Sequence, residues 1–293
     1  MQVTRLPNNP AVQPEMDQRM GHNINGPSLI RVPEWIEHPL GRYYLYFAHH
    51  KGTYIRLAYA DAIAGPWTVH EPGALELRDS HFPTEAKPYP HIASPDVHVL
   101  EEAGEIRMYY HGLLDDRTQQ TRVALSRDGL NFRAREELIG NPYFRAFRHG
   151  EWHYGMAMPG IFYRSKDGLT NFERGPRLFE PNMRHAALLL RGDELQVFWT
   201  RVGDTPEHIL LSRIDLRGQW TLWAPSEPED VLFPEEPWEG AEEPLLASRR
   251  GAIMEPVNQL RDPCIFEETG NVWLLYCVAG ESGIAVAELA EVA

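Results

Sequence analysis

The chain has little that would tie it to a membrane, a zinc ion or a disulfide framework. Only two cysteines, Cys264 and Cys277, occur in 293 residues. They share neither a CxxC nor a metal-ligand spacing, so two reduced, buried thiols are expected. The 13 histidines form no HxH or HExxH pair, and no local zinc motif is signalled. No apolar run reaches the length that spans a bilayer. The opening MQVTRLPNNPAVQPEM lacks the basic and then apolar regions of a secretory leader. A cytoplasmic address is the expectation, with a secreted mature form left open. Positive charge is scarce: 28 Lys and Arg stand against 42 Asp and Glu, a formal net charge of −14. That balance argues against nucleic acid or an anionic membrane as partner and leaves neutral sugars acceptable. Amphipathic helical periodicity is missing as well.

What is present is a repeat. Hydrophobic content of 43% and charged content of 24% are ordinary for a globular chain, and the length admits two average domains or one large all-β domain. The stretch from His91 to Phe132 holds short β-prone runs parted by Gly- and Asp-bearing turns, the pattern of consecutive antiparallel hairpins. It recurs from Asn25, from Tyr143, from His185 and from Arg261. The clearest echo is Ser126-Arg127-Asp128-Gly129-Leu130-Asn131-Phe132 against Ser165-Lys166-Asp167-Gly168-Leu169-Thr170-Asn171-Phe172. Five copies at a spacing of roughly 40 to 50 residues, each with three or four strands, predict an all-β five-bladed β-propeller. Residues 1–24 read as an N-terminal arm and residues 25–293 as a single propeller domain. Val3 to Leu6 is a candidate outer strand for the last sheet, and Trp220 is expected to close the fourth blade. The acidic segment Pro225 to Pro256 is the one long excursion, either overhanging a site or plainly solvated.

In a propeller the first strand of each blade lines the central axis, and the starts of those strands crowd one end of the channel. The five starts are Asn25-Gly26-Pro27, Ser94-Pro95-Asp96, Asn141-Pro142-Tyr143, Met183-Arg184-His185 and Arg261-Asp262-Pro263. Four of them bring polar or ionisable groups to one ring, which is the main functional signal in the sequence.

Together with SPDV…IRMYYHG, YYLYFAHH…IRLAYADAIAGPW and RDPCIF…WLLYCV, these features make the chain resemble the five-bladed propeller glycoside hydrolases of the family 43 and 32/68/117 type, from about Asn25 to Leu289. The resemblance implies glycoside hydrolysis by carboxyl groups at the blade starts, with a small sugar or oligosaccharide as substrate. A protonated acid is needed at the leaving oxygen and a carboxylate on the other side of the sugar. Two family positions depart: Gly26, beside Asn25, stands where an Asp is usual, and Arg184-His185-Ala186 where Glu-Gly-Pro is common. The remaining candidates are Asp96 and Asp262 as carboxylates, with His185 or Glu255 as proton donor.

Each candidate carries a structural alternative. Asp96 would either act on the sugar or cap the neighbouring blade. Arg261 would hold Asp262 ionised and orient the substrate, or the two would form a buried ion pair. His185 would otherwise be a hydrogen-bonded core residue, and Glu255 a surface carboxylate. Asn25, His49, His91, Arg184 and Trp238 are the further expected substrate contacts. No motif requires a cofactor; an axial calcium ion held by one histidine and waters is compatible with the family type. A homo-oligomer and a non-hydrolytic carbohydrate-binding propeller stay open.

Overall fold

The structure is a computed structural model that describes residues 1–291. The last two residues of the expected domain, 292 and 293, lie outside the described residues. Five four-stranded antiparallel sheets follow one another round a central axis, and no α-helix occurs among the described residues. From the axis outward, blade 1 is Asn25–Arg31, Tyr43–Ala48, Tyr54–Ala60 and Thr68–Glu76. Blade 2 is Ile92–Leu100, Glu105–Leu113, Gln119–Ser126 and Arg133–Ala134. Blade 3 is Arg145–His149, Trp152–Ala157, Ile161–Ser165 and Glu173–Arg177. Blade 4 is Met183–Arg191, Glu194–Arg201, Ile209–Asp215 and Glu229–Leu232. Blade 5 is Arg261–Glu268, Asn271–Cys277 and Ile284–Ala290, and its outermost strand is Gln2–Arg5 from the other end of the chain.

Middle strands are apolar because each is sandwiched between two neighbouring blades. All six residues of Tyr43–Ala48 are buried. Burying each large side chain of this kind stabilises the fold by about 1.5–3 kcal/mol. The outer strands Glu173–Arg177 and Gln2–Arg5 are exposed or half-buried along their length. Trp220 does not fit that outer position. It sits in a 3-10 turn, Trp220–Leu222, and packs into the core between blades 3 and 4 beside Tyr154. An indole of that size is better buried than displayed on an edge, so the outer strand of blade 4 is drawn instead from the acidic segment, at Glu229–Leu232.

The two echoed turns form the same structure twice. Asp128 Oδ1 accepts the N–H of Leu130 and Asn131, and Asp167 Oδ1 accepts those of Leu169 and Thr170. Each turn then receives a tyrosine hydroxyl from the preceding blade. Tyr46 donates to the Gly129 carbonyl and Tyr109 to that of Gly168, both at 2.8 Å.

Beyond its pairing with Ile284–Ala290, the N-terminal strand is fastened by Arg5. Its guanidinium donates two 2.9 Å hydrogen bonds to the fully buried Glu239, which also accepts the Tyr276 hydroxyl at 2.7 Å. Both cysteines are free and buried.

Candidate active site

Within two residues of the start of every innermost strand one residue adopts the left-handed region: Gly26 (φ +61°), Ser94 (+52°), Tyr143 (+57°), His185 (+44°) and Asp262 (+45°). In four blades the register with the second strand slips at this point, as a β-bulge requires. The bulge departs from the strand's simple alternation and re-aims a side chain. A non-glycine residue held there costs on the order of 1 kcal/mol. This correspondence sets Ser94, not Asp96, level with Asp262. At Gly26 no side chain fits: a Cβ would lie 2.9 Å from the Ser94 Cα.

Because strands in a blade alternate in direction, the hairpin between second and third strands returns to the same end as the start of the first. Blade starts and these hairpins together build one buried polar cluster. Arg261, fully buried, donates to Glu281 Oε1 at 2.9 Å and to Gln259 Oε1. Arg184 binds both oxygens of the fully buried Glu207, at 2.9 and 2.5 Å. Glu281 also accepts Asn23 Nδ2 at 2.5 Å and Asn25 Nδ2 at 3.2 Å, and stands 3.3 Å from His50 Nδ1. His185 and Asp262 face each other with Nδ1 and Oδ2 3.7 Å apart, too far for a hydrogen bond. Tyr143 lies between His185 and His111 in tilted contact, with ring centroids 5.1 and 4.6 Å away.

Two of the three buried carboxyls at this end, Asp262 and Glu281, ionise very differently. Burial and the neighbouring Glu281 charge push Asp262 up to about 7, against the pull of Arg145 and Arg184. For Glu281, burial works against the charge, but His50, Arg261 and Asn23 bring it down to about 2. Burial, followed by Arg184 and Arg261, holds His185 well below the usual histidine range. Near neutral pH the cluster therefore contains a neutral imidazole, an ionised Glu281 and an Asp262 that still carries its proton in part. This reverses two expectations. Arg261 does not keep Asp262 ionised, because its guanidinium is engaged by Glu281 and Gln259. His185 is too easily deprotonated to serve as general acid.

Other expected site residues are distributed unequally. Asn25 and Arg184 lie inside the cluster, and His91 borders it, its ring centroid 6.1 Å from that of His111. Of the adjacent pair His49-His50, it is His50 that reaches Glu281, while His49 Nδ1 accepts the Lys51 N–H. Trp238 is half-buried in the 3-10 turn Pro237–Glu239 and packs against the core of blades 4 and 5. Glu255 is exposed and, among the described residues, makes no hydrogen bond to the cluster.

Asp96 is not brought to this cluster. Two residues beyond its blade start, it occupies the position that Ser28 holds in blade 1. Ser28 Oγ accepts the N–H of Val97 from the next blade at 2.9 Å, and Asp96 Oδ2 accepts that of Ala146 from the next blade at 2.8 Å. Both side chains staple one blade to its successor. Asp96 also binds His98 Nε2 at 2.7 Å. It lines a cavity of about 330 Å³ with Arg31, His98, Cys264 and Phe266, towards the far end of the channel. Arg145 separates the two ends. Its guanidinium reaches both neighbouring blades, donating to the carbonyls of Ala186 in blade 4 and of Ser94 and Pro95 in blade 2, at 2.7, 3.2 and 3.3 Å. A guanidinium at this depth opposes a cation on the axis. Among the described residues no group of three or more His, Cys, Asp or Glu side chains is arranged to hold a metal ion.

Sequence reasoning about blade starts missed Glu281, Glu207 and Asn23. All three lie outside the blade starts, and the two glutamates lie in the hairpins that return to the same end. The usable signal was positional: Glu281 and Glu207 stand between the second and third strands of their blades, as His50 does.

No protein-family model matches the chain. An uncharacterized protein of Acanthamoeba polyphaga mimivirus is 36% identical to it, over 98% of this chain and 90% of that one. Among solved structures, a β-xylosidase/α-arabinofuranosidase of glycoside hydrolase family 43 from a compost metagenome superposes with a TM-score of 0.60 at 15% identity, covering 98% of this chain and 96% of its own. A family 43 enzyme of Xanthomonas citri gives 0.63 at 13%, covering 96% and 91%. A family 32 β-fructofuranosidase of Bombyx mori gives 0.57 at 14%, covering 92% and 59%. At such identities the likeness is one of fold. Among the described residues, no helix is long and apolar enough to cross a membrane.

Proposed function

The chain belongs to one family with that mimivirus protein and has the fold of the five-bladed glycoside hydrolases, and from this premise we propose that it cleaves a glycosidic bond in a small sugar or oligosaccharide. The observation that carries the reading is a pair of buried carboxyls at one end of the axis in unlike surroundings: Glu281 accepts hydrogen bonds from Arg261, Asn23 and Asn25, whereas Asp262 faces His185 across 3.7 Å and is raised to about 7 by burial and the Glu281 charge. Glycoside hydrolysis asks for such a pair, a protonated acid beside an ionised carboxylate. Asp262 takes the part of proton donor to the leaving oxygen. Glu281 remains charged and faces the positive charge that develops on the sugar ring. Arg261 and Asn25 hold Glu281 in place, and neutral His185 lies against Asp262 without competing for its charge.

The Xanthomonas citri enzyme has been crystallised with xylotriose and with xylose, which makes xylosides a sensible first probe. The test is a screen of aryl furanosides, aryl pyranosides and xylotriose, with Asp262→Asn as the control. Turnover by the wild type and its loss in Asp262→Asn is the expected result. Equal turnover by both proteins, or none by either, would overturn the assignment.

A second reading is favoured by Gly26, where the backbone leaves no room for the carboxylate usual in the family. It makes the propeller a carbohydrate binder without hydrolysis. Calorimetric binding of xylotriose with no product by mass spectrometry selects it.

A further inference from the structure

The polar cluster is covered by a strap, residues 249–256, slung between two anchors. On one side Ser248 holds blade 4: its N–H donates to the Asp204 carbonyl at 3.1 Å and its Oγ accepts the Gly203 N–H at 2.9 Å. On the other, the Val257 N–H donates to the Ala279 carbonyl at 3.3 Å. Between the anchors the chain has no regular secondary structure, and Met254 stays largely exposed. Its inward hydrogen bonds are accepted by the backbone carbonyls of alternate residues. The Arg249 carbonyl accepts Arg184 Nη1 at 3.2 Å, that of Gly251 accepts Arg261 Nη1 at 3.5 Å, and that of Ile253 accepts Asn23 Nδ2 at 2.7 Å.

These three donors share one property. Each arginine is already neutralised by a buried glutamate, Arg184 by Glu207 and Arg261 by Glu281. Asn23 carries no charge. What faces the strap is therefore a row of hydrogen-bond donors with little charge left to offer, which suits neutral oxygen acceptors and gives an anion little gain.

We propose that the strap carbonyls hold the places of substrate oxygens. Asn23, Arg184 and Arg261 form a three-point subsite for the hydroxyl or ring oxygens of a neutral sugar, filled by the strap until the sugar displaces it. Phosphorylated sugars and uronic acids are poor ligands for it. The inference rests on the sugar-processing reading and names the oxygen-binding half of that same site. A closed cover lowers apparent affinity by the fraction of molecules in which it is open.

The experiment replaces residues 249–256 of the full-length chain with a Gly-Ser segment of equal length, keeping Ser248 and Val257. Binding of xylotriose, sucrose, lactose, glucuronic acid and inorganic phosphate is measured by calorimetry on both proteins, with thermal denaturation as the folding check. At least one neutral sugar is expected to bind about tenfold more tightly or better to the replaced protein, and Arg184→Met in that background removes the gain. If the replacement does not fold, Arg250→Ala takes its place, because Arg250 ties the strap to the Pro181 carbonyl. No gain for any neutral sugar, or a gain larger for phosphate or glucuronic acid, overturns the proposal. Turnover is scored separately. A gain in affinity without turnover leaves the subsite standing and removes the hydrolytic reading, while turnover without a gain removes the subsite alone.

Discussion

The two ends of the central axis are built from the same five strands, yet they treat charge in opposite ways. At the end where the strands begin, Arg184, Glu207, Arg261, Glu281 and Asp262 are all nearly or fully buried and lie under a cover. At the far end Asp96 and His98 form a pair that opens on a cavity, with the His98 side chain 39% exposed. The difference teaches where to look for chemistry. Buried charge is costly unless it is matched group for group, so a fold keeps such a cluster only where it has been arranged in detail. At the far end Asp96 is mostly buried and tied to the next blade, and only its partner His98 is solvated, so little charge there has to be matched.

The largest effect should come from unbalancing the buried end. Glu207→Gln leaves Arg184 with no full carboxylate partner and should lower stability by about 3–5 kcal/mol in chemical denaturation, whereas Arg184→Met combined with Glu207→Leu should recover most of that loss. If the single variant unfolds with the wild type, the two ends do not differ as described. Next in size is Asp262→Asn, expected to reduce glycoside turnover by a factor of about 100 or more with the fold retained.

A pH series sharpens the comparison further. Asp262 in the folded chain keeps its proton up to about 7, against an ordinary value of 3.8. The folded state therefore binds more protons than the unfolded one between these values. Its contribution to stability is present at low pH and is lost as pH rises towards 7, with a slope of at most about 1.4 kcal/mol per pH unit. Glu281 works the other way, losing its contribution as pH falls from 4.5 towards about 2. Thermal melts from pH 4 to 8 on wild type and Asp262→Asn should differ in slope, and kcat/KM should decline above about pH 7. Parallel melts would remove Asp262 from its assigned state.

Gly26→Ala should cost about 1–3 kcal/mol, because the new Cβ meets the Ser94 backbone at a positive φ. The smallest effect is expected for Asp96→Asn. An amide oxygen still accepts the Ala146 N–H, so turnover should stay within about twofold of wild type. A large loss there would return Asp96 to the catalytic machinery.

Much of this arrangement is legible in the chain itself. The Ser-x-Asp-Gly echo at Ser126 and Ser165, the aromatic run Tyr43 to Phe47 and the recurring turns specify blades, since each depends on neighbours in sequence. The outer strand of blade 4 was harder to read, because Trp220 has strand-like composition but a better place in the core. The site was half legible. Arg184, His185, Arg261 and Asp262 stand at blade starts and can be found by counting repeats.

By itself, then, the sequence determined a ring of five similar sheets and the end at which their first strands begin. Tertiary structure alone decided which groups meet there. Glu207 and Glu281 arrive from hairpins far along the chain, Asn23 comes from just ahead of the first blade, and the strap closes over them all. A carboxyl's ionisation depends on what surrounds it in space, so no local pattern reveals that Asp262 keeps its proton while Glu281 sheds one. Nor does spacing reveal that the Asp96 carboxylate accepts the Ala146 N–H and so staples its blade to the next.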